Sequence, residues 1–325
     1  MSLRSDISNY DYHASEELSR STADEINRTT PKHVKYRKDH PVPATTAMMI
    51  GSCFHSAVLE PMKTDDEFAV KPSEIDGNGP RTNAYKTAMA RLEADNPGKT
   101  WMNPSDYNTS MEMAGSALDN PVLKEYLSDI DTLIENTGFF SYENTDCKLR
   151  MDAFSPSAEV IIDLKSTMDA SPKGFASSVR KFNYGFQACW YMEGMRRLGF
   201  SPKQFIFVVV EKTPPYATAC YTLASSDIVR HREPMRRACE LWHSCVSSDI
   251  WPGYSDSVET LKLTNDFNRL SMQDIARKFN VGRHFVYRIV ESYQLETRNI
   301  GNKRTVDIND FADALRWDAE GKSAA

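Results

Sequence analysis

Two carboxylates and a lysine carry the strongest chemical signal in the chain. Arg150-Met-Asp152 is followed by Val160-Ile-Ile-Asp163-Leu-Lys165-Ser-Thr. In a strand, residues two apart share a face, so Asp163 and Lys165 point one way while Ile162 and Leu164 point into the opposite layer. Asp152 ends or nearly ends the preceding strand. Two carboxylates and an ammonium therefore converge at one end of a sheet. Charges placed there are costly to bury unless they pair or bind metal. Carboxylate oxygens suit Mg²⁺, which keeps several waters and bridges readily to phosphate. A lysine beside it can orient the attacking water or stabilise charge developing on the phosphoryl oxygens. The chemistry expected is metal-assisted phosphodiester hydrolysis. The tripeptide D-x-K alone is common and more often an ordinary strand-edge ion pair, so its neighbours decide.

Two neighbours matter. Gln187 and Tyr191 follow on a helix at i, i+4 and share a face. Upstream, Gly51-Ser-Cys-Phe-His55 sets a histidine in an apolar helical run. Taken singly, His55 suits a core histidine and Gln187/Tyr191 an ordinary helix surface. Taken in order, they resemble the PD-(D/E)XK nucleases. Within these they resemble the RecB-type branch and, more narrowly, the RecE (exonuclease VIII) type of phages and prophages. The resembling segments are LSRSTADEINRTTPKHVK from Leu18, IGSCFHSAVLEP from Ile50, KLRMDAF from Lys148, IIDLKSTMDASP from Ile161 and YGFQACWY from Tyr184. Together they span roughly residues 10–255, and no cysteine quartet of the iron–sulfur relatives is present.

The resemblance implies an α/β fold, a mixed central sheet flanked by helices. It implies His55, Asp152 and Asp163 as metal ligands, with the Leu164 carbonyl as a fourth. Lys165 becomes the catalytic lysine, and Gln187 and Tyr191 position it, the water or the DNA backbone. Arg150, Ser166 and Glu143 are carried as groups beside the metal or against substrate, and Arg28 as a cation for a 5′-phosphate. The implied activity is a Mg²⁺-dependent exonuclease, with Mn²⁺ as a substitute. It would digest one strand of linear duplex DNA from the 5′ end and leave 3′ tails for recombination by single-strand annealing. The implied partners are double-stranded DNA ends, further copies of the chain in a trimeric or tetrameric ring, and a single-strand annealing protein. A bacterial host cytoplasm is the implied location.

The elements that must position these groups are legible in pattern. Residues from about Ser15 to Leu59 read as largely helical, and helical periodicity returns between Pro104 and Leu127. Lys71–Arg81 reads as an exposed loop. Leu133–Tyr142, Lys148–Phe154 and Val160–Leu164 read as strands. Pro172–Lys181 and Tyr184–Leu198 read as helices, Gln204–Glu211 and Tyr216–Leu223 as paired strands, and Ser225–Ser247 as one long helix. Strands bracketed by helices make a mixed α/β domain over residues 1–257.

A second module is expected over residues 262–325. Ser271 begins a helix, Asn280-Val-Gly282 a turn and Arg283 a second helix, with Ile275, Val286, Ile289 and Val290 on the buried face. Leu295–Val306 reads as a hairpin and Asn309–Trp317 as a last helix. The arrangement resembles excisionase- or MerR-like winged helix-turn-helix domains. Arg283, His284, Tyr287 and Arg288 would then face DNA from the second helix, and Lys303 and Arg304 from the hairpin. A small helical module that packs on a partner protein is the competing reading.

Charge agrees with this division. The chain carries 39 basic and 45 acidic side chains, a net of −6. Residues 262–325 hold 11 basic against 9 acidic groups, whereas the remainder holds 28 against 36. Coating of nucleic acid by bulk charge is thereby disfavoured, though a local basic groove is not. The six cysteines lack any C-x-x-C pair, which reads as reduced cytosolic thiols without a zinc ribbon. The start lacks the apolar core of a secretory signal. The longest apolar run, Phe205–Val210, is far short of the ~20 residues that span a bilayer, so no membrane partner is expected. Two other functions remain: a structure-specific or restriction-like endonuclease on the same fold, and a DNA-binding regulator on an inactive scaffold. Retention of Asp152, Asp163 and Lys165 argues against the second.

Overall fold

The structure is a computed structural model and describes residues 3–259 and 269–319. It divides into two compact units, Met1–Asp256 and Ser257–Ala325. Strands of the first unit are β1 (Leu18–Ser19), β2 (Phe68–Val70), β3 (Thr100–Met102), β4 (Leu133–Tyr142), β5 (Thr145–Ser155), β6 (Val160–Thr167), β7 (Gln204–Glu211) and β8 (Thr218–Tyr221). Six of them form one mixed sheet in the order β1-β5-β6-β7-β8, with β4 on β5. β2 and β3 make a separate parallel pair.

The β4–β5 hairpin turns on Glu143 and Asn144, whose φ values of 48° and 57° match the left-handed pair of a tight two-residue turn. β6 and β7 are parallel and need a long crossover. The helices Pro172–Lys181 and Tyr184–Arg197 supply it. Ser171 caps the first by accepting from Gly174 N, with Pro172 at the first helical position. Gly194 lets the second lie close on the sheet, since a Cβ there would stand 2.5 Å from a Leu149 methyl and 2.7 Å from the Phe140 ring.

Strand alternation divides the core into two layers. Ile162 and Leu164 pack with Phe54, Val58 and Met113 of the helices Thr46–Leu59 and Pro104–Leu118. Ile161 faces the other side with Phe186, Trp190 and Met235. Two features interrupt this regularity. The β5–β6 ladder holds only from Ser155–Val160 to Ala153–Ile162, while β1 pairs with β5 at Cys147 and Lys148. The edge of β5 between Lys148 and Ala153 is therefore open. Alternation also breaks at that level: Cys147, Leu149 and Met151 face one layer and Ala153 the other. On β4, Glu135 takes a φ of 49° at the matching position.

The helices Pro61–Glu67 and Asn83–Asp95 and the β2/β3 pair had no periodic signal strong enough to anticipate. The helix expected from Ser225 to Ser247 is two, Ser225–Val229 and Arg232–Ser248. Among the described residues, no helix is long and apolar enough to cross a membrane.

The second unit contains β9 (Arg269–Ser271), the helices Met272–Lys278 and Arg283–Ser292, β10 (Thr297–Ile300), β11 (Lys303–Asp307) and the helix Ile308–Ala319. Its antiparallel sheet runs β10-β11-β9. Ser271 caps the first helix, and Asn280 turns the chain with a φ of 53°. Ile275, Val286, Ile289, Val306 and Phe311 form the core. The expected start of this module, at 262, lies outside the described residues.

Candidate metal centre and lysine site

The open edge of β5 is where the chemistry collects. Past Ala153–Ile162 the two strands part, and the Asp152 side chain takes over from the backbone: its Oδ2 accepts from Leu164 N at 2.6 Å. His55 reaches the same place from its helix. Its Nε2 lies 3.1 Å from the Leu164 carbonyl oxygen and its Nδ1 3.4 Å from Asp152 Oδ2. Both nitrogens face oxygen, the arrangement of an imidazolium. Burial lowers its pKa, but the Asp152 carboxylate more than offsets this, and the net direction is upward. Burial likewise opposes ionisation of Asp152, yet His55 and Lys165 hold its carboxyl below the usual range.

Glu135 completes the group. Ile134 pairs with Ala153 and Asn136 with Met151, so Glu135 stands across from Asp152. Like charges directly opposite on a sheet repel. Burial first, and the Asp152 charge second, push the Glu135 carboxyl up to about 8. Ligand atoms of His55, Glu135 and Asp152 all lie within 4.8 Å of one another. Two acids and an imidazole beside a carbonyl, with one acid unable to ionise comfortably, fit a hard divalent cation.

Asp163 and Lys165 form the adjoining half. They share a face of β6 and are joined as an ion pair, with side-chain exposures of 2% and 14%. Asp163 Oδ1 also accepts from Gln187 Nε2 at 2.6 Å. Gln187 Oε1 in turn accepts from Arg20 at 3.1 Å. Burial outweighs these partners and pushes the Asp163 carboxyl up to about 6. The Lys165 ammonium lies 5.0 Å from the Tyr184 ring centroid. Tyr191, one turn beyond Gln187, lines a cleft of about 930 Å³ together with His55, Glu135 and Asp152.

The sequence-derived residues thus sort unevenly. His55, Asp152, Asp163, the Leu164 carbonyl, Lys165, Gln187 and Tyr191 gather at one place, with Asp163 tied to Lys165 rather than joined to the ligand trio. Glu143 does not belong: it is exposed in the hairpin turn at the far end of β4 from Glu135. Ser166 lies on the Leu164 side of β6, since alternation turns it away from Lys165. Arg28 is ion-paired with buried Asp24 at 2.9 Å. Arg150 is spent on the N-terminal segment, donating to Ile7 O at 2.6 Å and to Thr137 Oγ1 at 2.9 Å. Glu135, Arg20 and Tyr184 are the residues missed. The only signal for Glu135 was one acid in the otherwise uncharged strand Leu133–Tyr142.

In the second unit, Arg283, His284, Lys303 and Arg304 are exposed, and Tyr287 is half-buried. Arg283 lies against the Tyr287 ring, 5.8 Å from its centroid. Arg288 does not stand free for a ligand. It makes a two-pronged pair with Asp318, at 2.9 and 2.8 Å.

The comparisons fit this geometry. The family model for the PDDEXK-like domain of unknown function, DUF3799, matches residues 19–264. A provisionally named exonuclease from Eubacterium rectale has a similar solved structure, with a TM-score of 0.56 at 14% identity. That likeness covers 81% of this chain and 97% of the other, and it bears on the fold alone. A phage-related exonuclease from Haemophilus somnus gives a TM-score of 0.30 at 15% identity, over 52% of this chain and 85% of its own, too loose a likeness to argue from. No curated protein matches the chain. With the family model spanning well over half of its residues, and Asp152, Asp163 and Lys165 standing together at the parted strands, the chain belongs to the PDDEXK-like domain family.

Proposed function

We propose that the first unit is a divalent-metal-dependent nuclease that hydrolyses phosphodiester bonds in DNA. The observation that carries this reading is the adjacency of two largely shielded clusters, one half-buried and one nearly buried, at the parting of β5 and β6. One is the His55–Glu135–Asp152 trio, and the other is the Lys165–Asp163 pair. In this reading Glu135, Asp152, His55 and the Leu164 carbonyl would hold the cation, with Asp163 beside them on the Lys165 side. A bound Mg²⁺ or Mn²⁺ supplies Lewis acidity toward the phosphate and acidifies water. The chain's own groups do the rest. Lys165, fixed by Asp163 and by Tyr184, presents an ammonium where negative charge develops on the phosphoryl oxygens. Gln187, held by Arg20, keeps Asp163 in place.

The finer reading is a 5′-to-3′ exonuclease on linear duplex DNA that leaves 3′ tails for an annealing partner, acting as a ring of like chains. The second unit would add duplex contacts as a winged helix-turn-helix. Digestion of end-labelled linear duplex with Mg²⁺ tests both levels. Release of 5′-terminal nucleotides supports the finer reading, release from the 3′ end overturns the polarity, and cutting of covalently closed circles overturns end dependence. No metal-dependent hydrolysis of any DNA overturns the nuclease reading.

A further inference from the structure

The crossover from β6 to β7 carries a charged face that the proposed chemistry leaves unused. Its first helix, Pro172–Lys181, holds three cations, Lys173, Arg180 and Lys181, and no acid. Outside residues 262–325, by contrast, acids outnumber bases by 36 to 28. The inner face of the helix packs Phe175 and Val179 into the core. At 3.6 residues per turn, Lys173, Ser177, Arg180 and Lys181 fall together on the opposite face, and all four are exposed. The two cations of the last turn suit the helix dipole, but Lys173, in the first turn, does not. Among the described residues, Arg180 and Lys181 form no ion pair. Arg28 and Arg288 are spent on internal carboxylates, whereas these two charges are available to an outside anion.

The strip of cations ends on two aromatic rings. Phe182 caps the helix and is 46% exposed. Its ring stacks on that of Tyr184, with centroids 5.7 Å apart and planes 27° from parallel. Asn183, between them, takes a left-handed φ of 53°, and the next helix starts at Tyr184. The Lys165 ammonium lies 5.0 Å from the Tyr184 centroid. Neither ring lines the cleft of His55, Glu135 and Asp152, so the pair leads from the lysine to solvent outside that cleft. The Lys181 ammonium rests 5.1 Å from the Phe182 centroid, an exposed contact weak enough to yield to a ligand. Cations along a strip meet successive phosphates, and an accessible ring takes a base by stacking. Together they make the pattern by which proteins track a nucleic-acid strand. An acidic peptide would use the cations and leave the ring without a function.

We propose that Lys173, Arg180, Lys181 and Phe182 form a second DNA-contact site, outside the cleft, which holds a strand by its phosphates and by one base stacked on Phe182. The inference rests on the nuclease reading and deepens it. The test is binding of full-length protein, without divalent metal, to a labelled oligothymidylate of about 12 nucleotides and to its abasic analogue of equal length, followed by fluorescence anisotropy. Wild type should prefer the oligothymidylate at least about fivefold, the lower end of what stacking one base contributes. Phe182→Ala and Phe182→Leu should remove most of that preference while binding the abasic strand as wild type does. Phe182→Trp, which keeps a ring, should restore it. Arg180→Ala/Lys181→Ala should weaken both probes alike and lower the slope of log affinity against log salt by about 1.4. Three results overturn the proposal. They are equal binding of both probes by wild type, a preference unchanged in the Phe182 variants, and a salt slope unchanged in the double variant. Should Phe182→Ala fail to fold, Phe182→Leu reads the same ratio. A wild type that shows the Phe182-dependent preference but no Mg²⁺-dependent hydrolysis overturns the nuclease reading instead and leaves the contact site standing.

Discussion

In the first unit, Asp163 and Lys165 are nearly buried, at 2% and 14% side-chain exposure. In the second, Arg283, Lys303 and Arg304 stand in solvent. Buried charges interact strongly and depend on exact neighbours, whereas exposed ones are screened and nearly interchangeable. Single substitutions at these buried charges should therefore act on the chemical step. Those at the exposed charges of the second unit should act on binding, by small and salt-dependent amounts. The sharpest way to break this contrast is Lys165→Ala. Loss of the ammonium should lower the rate of the chemical step by on the order of 10³, while duplex binding by the folded protein changes little. A gel-shift titration beside single-turnover cleavage checks both halves. Retained turnover would remove the lysine from the mechanism.

Glu135→Gln should cost activity by on the order of 10² and, unlike Lys165→Ala, change metal-free stability in a pH-dependent way. The unfolded chain ionises Glu135 near its ordinary 4.5, while the fold holds the proton to about 8. This group's contribution to stability is therefore full below about pH 4.5 and is lost as pH rises through about 8. Glutamine stays neutral throughout. The variant should melt on the order of 5 °C above the wild type near pH 8 without metal, and at nearly the same temperature near pH 5. Added Mg²⁺ should raise the wild-type Tm more than the variant's. Equal shifts would remove Glu135 from the cation's ligands.

Gln187→Ala probes the join between the two clusters and should cost about tenfold in kcat. A hydrogen bond donated to a carboxylate favours its charged form. Losing the Gln187 bond should move Asp163 further above its present value of about 6. The acidic limb of the pH–rate profile should then shift to higher pH. A profile that keeps its shape would make Gln187 a purely structural buried amide.

How much of this was legible in the sequence follows the same division by burial. Asp163 with Lys165, and Gln187 with Tyr191, could be set on shared faces because each pair sits in a regular strand or helix, where period two or i, i+4 spacing specifies the face; their roles came from the family resemblance. Asp152 was named through the resemblance, but Glu135 meets it where both strands break alternation, so no periodic rule reached Glu135, and Glu143, expected beside the metal, lies at the far end of β4. The anchoring of the segment before β1 was invisible for another reason. It is held through its own backbone carbonyls, at Ile7, Ser8, Tyr12 and Ser15, which accept from Arg150 and Lys148, and carbonyls leave no trace in residue type. Arg150 and Arg288 were expected to face substrate or DNA, but their charges are spent internally, which only coordinates reveal.

The smallest effect is expected from Lys303→Ala/Arg304→Ala in the second unit. Both side chains are exposed on the β10–β11 hairpin, and Arg304 is lightly held by Thr297 Oγ1 at 3.1 Å. If they meet phosphates, removing two contacts should weaken duplex binding a few-fold at moderate salt. It should also reduce the slope of log affinity against log salt by about 2. Single-turnover cleavage at saturating enzyme should stay unchanged, because no charge in the two clusters has moved. An unchanged slope with unchanged affinity would make the hairpin a protein-facing surface. In that case the exposed Arg283 and His284, alone on the second helix, would give too few phosphate contacts to hold a duplex at physiological salt, and the second unit would be a partner-binding module.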